Sequence, residues 1–461
     1  MATDYNCKQV CADFFSVVNI PYPSPLLRFF QTGARIFFAA SIVLAPFRLR
    51  ATLWTRPFFP VYSDYTDFLL FACDVSVYFM LVIWGCSLLI APRRLRPGNS
   101  FIFCLLAGLT VAAWVSVLGS VDAVISRYQA FHFVVLLIYY LFIVNEIDSA
   151  WWVTVPVFFQ AMLQAPIGVG QFFAQSSLGL QALGEHKLDP LVKGASIIPV
   201  NGERVLRAYG LADHPNILGG CLAFAMVILL AVVLYGERRK SLISAAGILF
   251  IFPAFLLTFS RSAWLSFFIA SLFLAVFNGL TRSWESVIRL CLLGVACVAV
   301  TAVLVMRDGL VFGKRFNGGD VAGDGPMVER VFLMEKGNTL FVEHSAIGVG
   351  LGASPLAMKL RFGDFPVSYQ PPHFTPLTVS LETGVLGGAF YFILFLLPFM
   401  DFLIRWRMYI HNPVGMGVMA LLLAIVVVNL FDYYTWSYTS GRIWQWLAWA
   451  LYSQVSTKAG K

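Results

Sequence analysis

The chain has 461 residues, of which 59% are hydrophobic and only 12% are charged, and its mean hydropathy is +0.78. A water-soluble enzyme of this length needs more charge on its surface, so the composition excludes that class. The formal net charge is +8, but no soluble basic domain accompanies it, which excludes a nucleic-acid-binding function. We therefore predict a polytopic membrane protein.

Apolar runs of roughly 17–25 residues, the length that crosses a bilayer as a helix, recur along the whole chain. They lie near 30–47, 68–91, 100–121, 130–145, 150–174, 217–235, 242–259, 263–281, 286–306, 375–400, 413–431 and 441–455. This predicts about twelve transmembrane helices in a single integral membrane domain over residues 1–461. Because only helices satisfy all their backbone groups within one segment in lipid, the fold class is all-α.

Basic connections predict the orientation, since short cytoplasmic loops are rich in Lys and Arg. Four such connections fall on one side of the predicted bundle: Arg93–Arg96, Arg238–Lys240, Arg282 with Arg289, and Arg405–Arg407. Both termini fall on that side, and residues 1–25 lack the features of a cleavable signal peptide. The long segments 175–216 and 307–374 are then extracytoplasmic, the second as a large loop between the ninth and tenth helices. The basic stretch Arg48–Arg56 does not fit this pattern.

His373 precedes a predicted helix at the outer face. Pro371 and Pro372 come before it, and Thr375 followed by Pro376 predicts a helix that starts with Thr375 as N-cap. The positive end of a helix disfavours imidazolium, so a neutral imidazole that accepts a proton is expected here. A helix-capping role for the same histidine is the alternative.

Further cationic residues fall on the outer face from distant parts of the chain. An arginine at a membrane boundary is costly unless it is paired or functional, and its planar fork suits phosphate oxygens. A group of arginines with one neutral histidine is typical of a phosphate clamp with a general base. Loop-to-loop contacts, snorkelling or surface ion pairs are the structural alternatives. The residues are Arg207, His214, Arg261, Arg315 and Arg330, with Asp432 as a nearby acid.

The predicted fifth helix carries a polar face. Gln160, Gln164, Gln171 and Gln175 follow a helical spacing. Hydrogen bonding to neighbouring helices is the favoured interpretation, and a polar groove for a glycan or a lipid pyrophosphate is the alternative.

Several stretches together resemble the O-antigen ligase and polymerase family over roughly residues 200–450. They are Arg207–Asn216, Ser260–Trp264, Glu329-Arg330, Glu343–Gly352, and His373-x-Thr375 followed by Glu382-x-Gly384. The resemblance implies a C-type membrane glycosyltransferase that takes a glycan from a polyprenyl-pyrophosphate carrier at the outer face of a bacterial cytoplasmic (inner) membrane, with inversion and without a metal or other cofactor.

The resemblance also assigns roles to residues. It implies that His373 is the base and that Arg207, Arg261 and Arg330 hold the pyrophosphate or sugar. Asp432 then completes the site. We add His214 and Arg315 to the donor-binding group. The residues that we expect to support the site are Thr375, Glu382, Gln164 and Gln171. The acidic pairs offer no clear metal site, since Glu146 and Asp148 fall on the cytoplasmic side.

The sequence thus predicts a ligase that joins a lipid-carried glycan to a hydroxyl of a glycolipid such as lipid A-core, with membrane lipids as further partners. A polymerase of glycan repeat units and a protein O-oligosaccharyl ligase are the alternatives on the same scaffold. A transporter is the alternative from another class, because broken helices with midplane polar residues are typical of transporters.

Overall fold

The computed structural model describes residues 24–192, 194–280, 284–317, 326–363 and 365–458, and the structural statements below refer to these residues. Arg282 and both chain ends, on which part of the predicted orientation rests, lie outside them. The described chain is largely helical, with two short antiparallel hairpins. The predicted all-α class is confirmed.

The elements follow the apolar pattern of the sequence closely. The helices are α1 Pro25–Leu44, α2 Ala72–Ile90, α3 Ser100–Val115, α4 Ala123–Glu146, α5 Trp151–Ala174, α6 Pro215–Tyr235, α7 Arg238–Leu257, α8 Arg261–Leu280, α9 Trp284–Asn317, α10 Pro326–Glu343, α11 Ser354–Phe362, α12 Thr375–Tyr409, α13 Pro413–Asn429, α14 Tyr434–Ser437 and α15 Thr439–Lys458. The strands are β1 Arg50–Trp54, β2 Phe68–Phe71, β3 Ile197–Val200 and β4 Glu203–Leu206.

Each predicted transmembrane segment coincides with a helix, but the number twelve stays a prediction. Within the described chain, ten helices are long and apolar enough to cross a membrane. The eleventh predicted segment forms α13, which is apolar but has only 17 residues. The twelfth forms α15, whose sequence is more polar.

The position of α15 in the bundle explains its polarity. Most of its side chains are buried against other helices. Its polar residues bond to protein groups there: Gln445 Nε2 donates to Tyr391 Oη at 2.8 Å, and the Gln454 amide donates to the Ile147 carbonyl at 2.7 Å. A helix inside a bundle need not be apolar on every side, which is why hydropathy alone identifies it poorly.

The segment predicted as a large outer loop contains helices of its own. α9 is interrupted at Asp308, and its last residues lie in this segment. Two further helices, α10 and α11, follow there. Leu333, Leu340 and Met358 pack into a separate small hydrophobic cluster. The described residues of this segment, 307–317, 326–363 and 365–374, therefore form a folded unit rather than an open loop, and we call this unit the cap.

The hairpin of β3 and β4 belongs to the first predicted outer segment. Asn201 and Gly202 form its two-residue turn, and both have positive φ, 51° and 89°. Asn-Gly is the sequence that such a turn prefers. The hairpin leads directly into residues 207–212, which are buried, and then into Asp213 and His214, which are partly exposed.

A break inside α12 joins it to the cap. Gly384 has φ +73° and ψ −178°, a conformation essentially restricted to glycine. Because of the break, the Val385 amide donates to the Ser345 carbonyl at 2.8 Å instead of bonding within the helix. The freed Leu381 and Glu382 carbonyls accept from the Val349 and Gly350 amides at 2.9 and 3.1 Å.

We predict that Gly384→Ala destabilises the protein by at least roughly 1–3 kcal/mol, the usual cost of such a backbone conformation without glycine. A Cβ at this position would also lie 2.4 Å from the Ala346 carbonyl oxygen. Thermal unfolding in detergent measures the change. Gly294→Ala is the matched control, because Gly294 is helical and has open space around it; an equal loss in both variants would contradict the prediction.

Candidate functional site

A cavity of about 580 Å³ opens at the end of the bundle that carries the two long segments. Pockets for small ligands usually have roughly 300–1,000 Å³, so this one is large enough for a sugar or a pyrophosphate. Three of the predicted site residues line it: His214, His373 and Asp432. Other parts of its wall come from residues far apart in the sequence: Asp64, Tyr65, His186, Asn216, Glu329, Gln370, Tyr433 and Tyr438.

His373 lies directly before α12, as predicted, but it does not cap the helix. Phe374 occupies the N-cap position. The imidazole packs edge-to-face against the Tyr433 ring at a centroid distance of 4.8 Å. Its Nδ1 atom is buried and has no hydrogen-bond partner in the described part of the chain.

The surroundings of His373 favour the neutral imidazole. Burial lowers the pKa of His373 to about 4; Asp432 opposes this shift, and Arg330 adds to it. The imidazole is therefore neutral at physiological pH, as the sequence predicted, although burial rather than the helix end is the main cause.

Asp432 is buried and held from three sides. Its Oδ2 accepts from Asn216 Nδ2 at 2.9 Å, and its Oδ1 accepts from the Tyr433 amide at 2.9 Å. Its backbone carbonyl accepts from Thr375 Oγ1 at 2.6 Å. Thr375 thus ties the start of α12 to Asp432 instead of capping the helix, which corrects the N-cap prediction.

Arg207 is fully buried and contacts neutral acceptors. Its Nε donates to the Thr258 carbonyl, its Nη1 to Ser196 Oγ and its Nη2 to Asn216 Oδ1, each at 2.7 Å. Burial lowers its pKa to about 9, and nearby Arg315 adds to the shift. Arg207 still carries its charge at neutral pH, and Asn216 links it to Asp432.

The turn between α7 and α8 brings three of the predicted arginines together. Its Thr258 carbonyl binds Arg207, and its Phe259 carbonyl accepts from Arg315 Nε at 2.8 Å. Arg261 follows as the first residue of α8, and its side chain is exposed. Phe259 has φ +48°, which is strained for a bulky residue.

His214 and Arg330 complete the positive region. The Asn216 amide donates to His214 Nδ1 at 3.1 Å, so His214 caps α6 and the neutral ring carries its hydrogen on Nε2. Burial holds the pKa of His214 well below its usual value, with smaller contributions from Arg207, His373, Arg330 and Arg315. Arg330, on α10, thus acts electrostatically on Arg207 and on both histidines.

Glu382 stands apart from this group and has a structural role. Its carboxylate accepts from the Gly352 amide at 2.9 Å, from Ser354 Oγ at 2.7 Å and from Trp436 Nε1 at 2.8 Å. The first two bonds join α12 to the cap, and the third joins it to α14. Its predicted supporting role therefore consists in fixing the helix that follows His373.

Two glutamines of α5 bind backbone groups of the buried segment that follows β4. Gln164 Oε1 accepts from the Leu211 amide at 2.7 Å. Gln171 donates to the Gly210 carbonyl and to Glu185 Oε1, both at 2.8 Å. Gln164 and Gln171 thus act as hydrogen-bonding residues, with a loop rather than a neighbouring helix as their partner, whereas the buried Gln160 has no hydrogen-bond partner among the described residues. Both glutamines position the segment that carries Arg207 and His214.

The basic stretch 48–56 is paired with acids at the same end of the bundle. Arg48 Nε lies 2.8 Å from Asp213 Oδ1, and Arg50 bridges Asp213 and Asp64 at 3.2 and 2.6 Å. A two-pronged contact of 2.9 and 3.0 Å joins Arg56 to Asp122. These pairs explain how three arginines that did not fit the orientation pattern are tolerated there.

Sequence reasoning missed a chain of polar contacts beside His373. Gln370 Nε2 donates to Glu329 Oε1 at 2.7 Å, and Tyr433 Oη donates to Gln370 Oε1 at 3.1 Å. The hydroxyls of Tyr433 and Tyr65 are 2.6 Å apart. Only the position of Gln370, three residues before His373, hinted at this chain.

Over the five described ranges, no group of three or more His, Cys, Asp or Glu side chains has a metal-binding arrangement. Metal independence remains a prediction for experiment.

Comparison with known families supports the resemblance seen in the sequence. Residues 246–392 match the family described as O-Antigen ligase. The matched segment contains the turn with Arg261, the cap with Arg315 and Arg330, and His373 with the first half of α12. No curated protein matches the chain. The family match confirms the resemblance and supports a membrane enzyme of the glycosyltransferase type.

We predict opposite effects of two substitutions on the pKa of His373. Asp432→Asn should lower it below about 4, because the carboxylate raises it, and Arg330→Gln should raise it. Titration of ¹³C-labelled histidines by NMR in detergent measures both, with His373→Gln identifying the signal. If the two substitutions shift the pKa in the same direction, the proposed electrostatic environment is incorrect.

Proposed function

We propose that this protein is a ligase that transfers a glycan from a polyprenyl-pyrophosphate carrier to a hydroxyl of a glycolipid acceptor, lipid A-core being the acceptor we favour. One observation carries the proposal: His373 and the buried Asp432 line one cavity, and the Arg207 guanidinium is hydrogen-bonded to Ser196 and Asn216 of its wall. A match to the O-antigen ligase family covers His373, Arg261, Arg315 and Arg330. The multi-pass chain would lie in the inner membrane with both termini cytoplasmic and the cavity extracytoplasmic.

The reaction is a single displacement at the anomeric carbon. His373 takes the proton of the acceptor hydroxyl while the hydroxyl oxygen forms a bond to the anomeric carbon. The bond from the carbon to the pyrophosphate oxygen breaks, and the bonding electrons leave with the carrier pyrophosphate. Attack from the face opposite the leaving group inverts the configuration.

The polar surroundings stabilise the charges that develop. Arg207, Arg261, Arg315 and Arg330 offset the negative charge that grows on the pyrophosphate. Asp432 stabilises the imidazolium, in keeping with its upward effect on the pKa of His373. His214 adds an Nε2–H donor on the cavity wall. No step needs a metal, and EDTA should leave the activity intact.

The outer-face position of these groups favours an enzyme over a transporter, whose substrate site is expected near the middle of the membrane. Gln164, Gln171 and Gln175, three of the four glutamines that pointed to a transporter, bind the backbone of residues 206–211 instead.

The acceptor can be identified by mass analysis of glycans in a strain that lacks this protein. We expect lipid A without long glycan and an accumulation of polymer on the carrier. A strain that retains only single repeats would instead indicate a polymerase, and the loss of glycan from protein would indicate a protein ligase.

In the same strain, the His373→Ala variant should fail to restore transfer although it folds and inserts. Removal of a general base typically lowers the rate by roughly 10²–10⁴-fold. His344→Ala is the matched control, because His344 is an exposed histidine at the end of the cap helix α10. Full transfer by His373→Ala with purified donor would refute the assignment of the base.

We further predict that Arg261 and Arg330 bind one pyrophosphate. Each Ala variant should weaken donor binding about ten- to hundredfold, the loss of one charge-assisted contact. Lys should rescue poorly because a point charge lacks the planar fork. The double variant should lose less than the two single variants combined.

Donor binding by the purified protein tests this, with Arg361→Ala as control because Arg361 is exposed and pairs with Glu343. Strictly additive losses would show that Arg261 and Arg330 act separately. Arg207 is less suitable for this test, since its three buried hydrogen bonds also support the fold.

A further inference from the structure

A second cavity, of about 730 Å³, lies at the opposite end of the bundle from His373. Helices α5, α6, α13 and α15 line it, with a further residue from the start of α7. Most of its wall is apolar, including Val153, Ile228, Val414 and Leu421. All four of these residues lie on apolar helices of the bundle, so the cavity suits a hydrocarbon chain.

The polar groups of this cavity collect near one end of its wall. Tyr235 Oη is buried and has no hydrogen-bond partner among the described residues. Lys240 Nζ lies 5.9 Å from the centre of the Trp151 ring. The ammonium also lies 3.2 Å from Glu237, but both side chains are largely exposed, so this pair is weak and leaves Lys240 able to bind another anion.

More positive charge lies beside this end of the cavity. Arg238 and Arg239 directly precede Lys240 and are exposed. Arg289 Nη1 donates to the carbonyl of Gly236, a lining residue, at 3.2 Å. An apolar cavity with a basic rim between transmembrane helices is the arrangement that binds the headgroup of an anionic lipid.

We propose that this cavity binds an anionic phospholipid from the leaflet opposite the candidate active site. An acyl chain fills the apolar part between α5, α6 and α13. The phosphate lies at Lys240, and the Tyr235 hydroxyl donates to a phosphate or ester oxygen. The proposal is independent of the function proposed above, because the two cavities share no residue.

Lipid retention by the purified full-length protein tests the site. The detergent-solubilised protein is incubated with phosphatidylglycerol or with phosphatidylcholine of the same chain length, and bound lipid is counted by native mass spectrometry. We expect retention of phosphatidylglycerol over phosphatidylcholine. Lys240→Ala should weaken that retention about fivefold, the usual contribution of one basic residue near an anionic surface.

Two further variants distinguish lipid binding in the cavity from lipid binding by general surface charge. Val414→Trp introduces a large side chain at a half-exposed lining position and should abolish retention, while its thermal unfolding shows whether it folds. Arg94→Ala is the matched control, because Arg94 is an exposed basic residue at the same end that does not line the cavity.

Equal retention of both lipids, or retention of neither, would overturn the proposal. So would a loss in Arg94→Ala as large as in Lys240→Ala. If Val414→Trp fails to fold, the comparison of Lys240→Ala with Arg94→Ala decides.

Discussion

The burial of the Arg207 guanidinium is the constraint on which the end of the molecule around His373 depends. A buried charge is costly unless its donors are satisfied, and here the acceptors are a carbonyl, a hydroxyl and a side-chain amide. These acceptors lie on three separate segments of the chain. Asn216 extends the network to Asp432, which in turn holds the start of α12 through Thr375. One cation therefore fixes the relative positions of the elements around the cavity.

This network leaves the cation without a carboxylate in direct contact. Other arginines at the same end, such as Arg50 and Arg56, have direct carboxylate partners. The positive potential near Arg207 is therefore only partly offset, and Arg315 and Arg330 reinforce it. A site with this positive potential favours the binding of an anionic ligand, and a pyrophosphate carries enough negative charge to balance the potential.

The sequence predicted the helices well, because apolar length in a membrane protein leaves few alternatives. It also pointed to His373 and to the arginines, whose roles in the reaction stay predictions. It did not predict that Gly384 breaks α12 or that Arg50 and Arg56 pair with distant acids, since such contacts depend on packing between remote segments. Hydropathy identifies the polar helix α15 poorly for the same reason, because its burial against other helices compensates for its composition. The N-cap prediction for Thr375 failed because a tertiary partner, Asp432, takes its hydroxyl.

The surroundings of His373 distinguish a capping histidine from a reactive one. A capping ring would accept from amides of the first helical turn, as the ring of His214 does at the start of α6. His373 precedes its helix by two residues, and its Nδ1 has no partner within the described ranges. Leaving a buried polar atom unsatisfied costs about 1–3 kcal/mol. The contacts of Thr375, Glu382 and Tyr433 hold the ring in place despite this cost, which is the arrangement expected where the imidazole acts on a ligand.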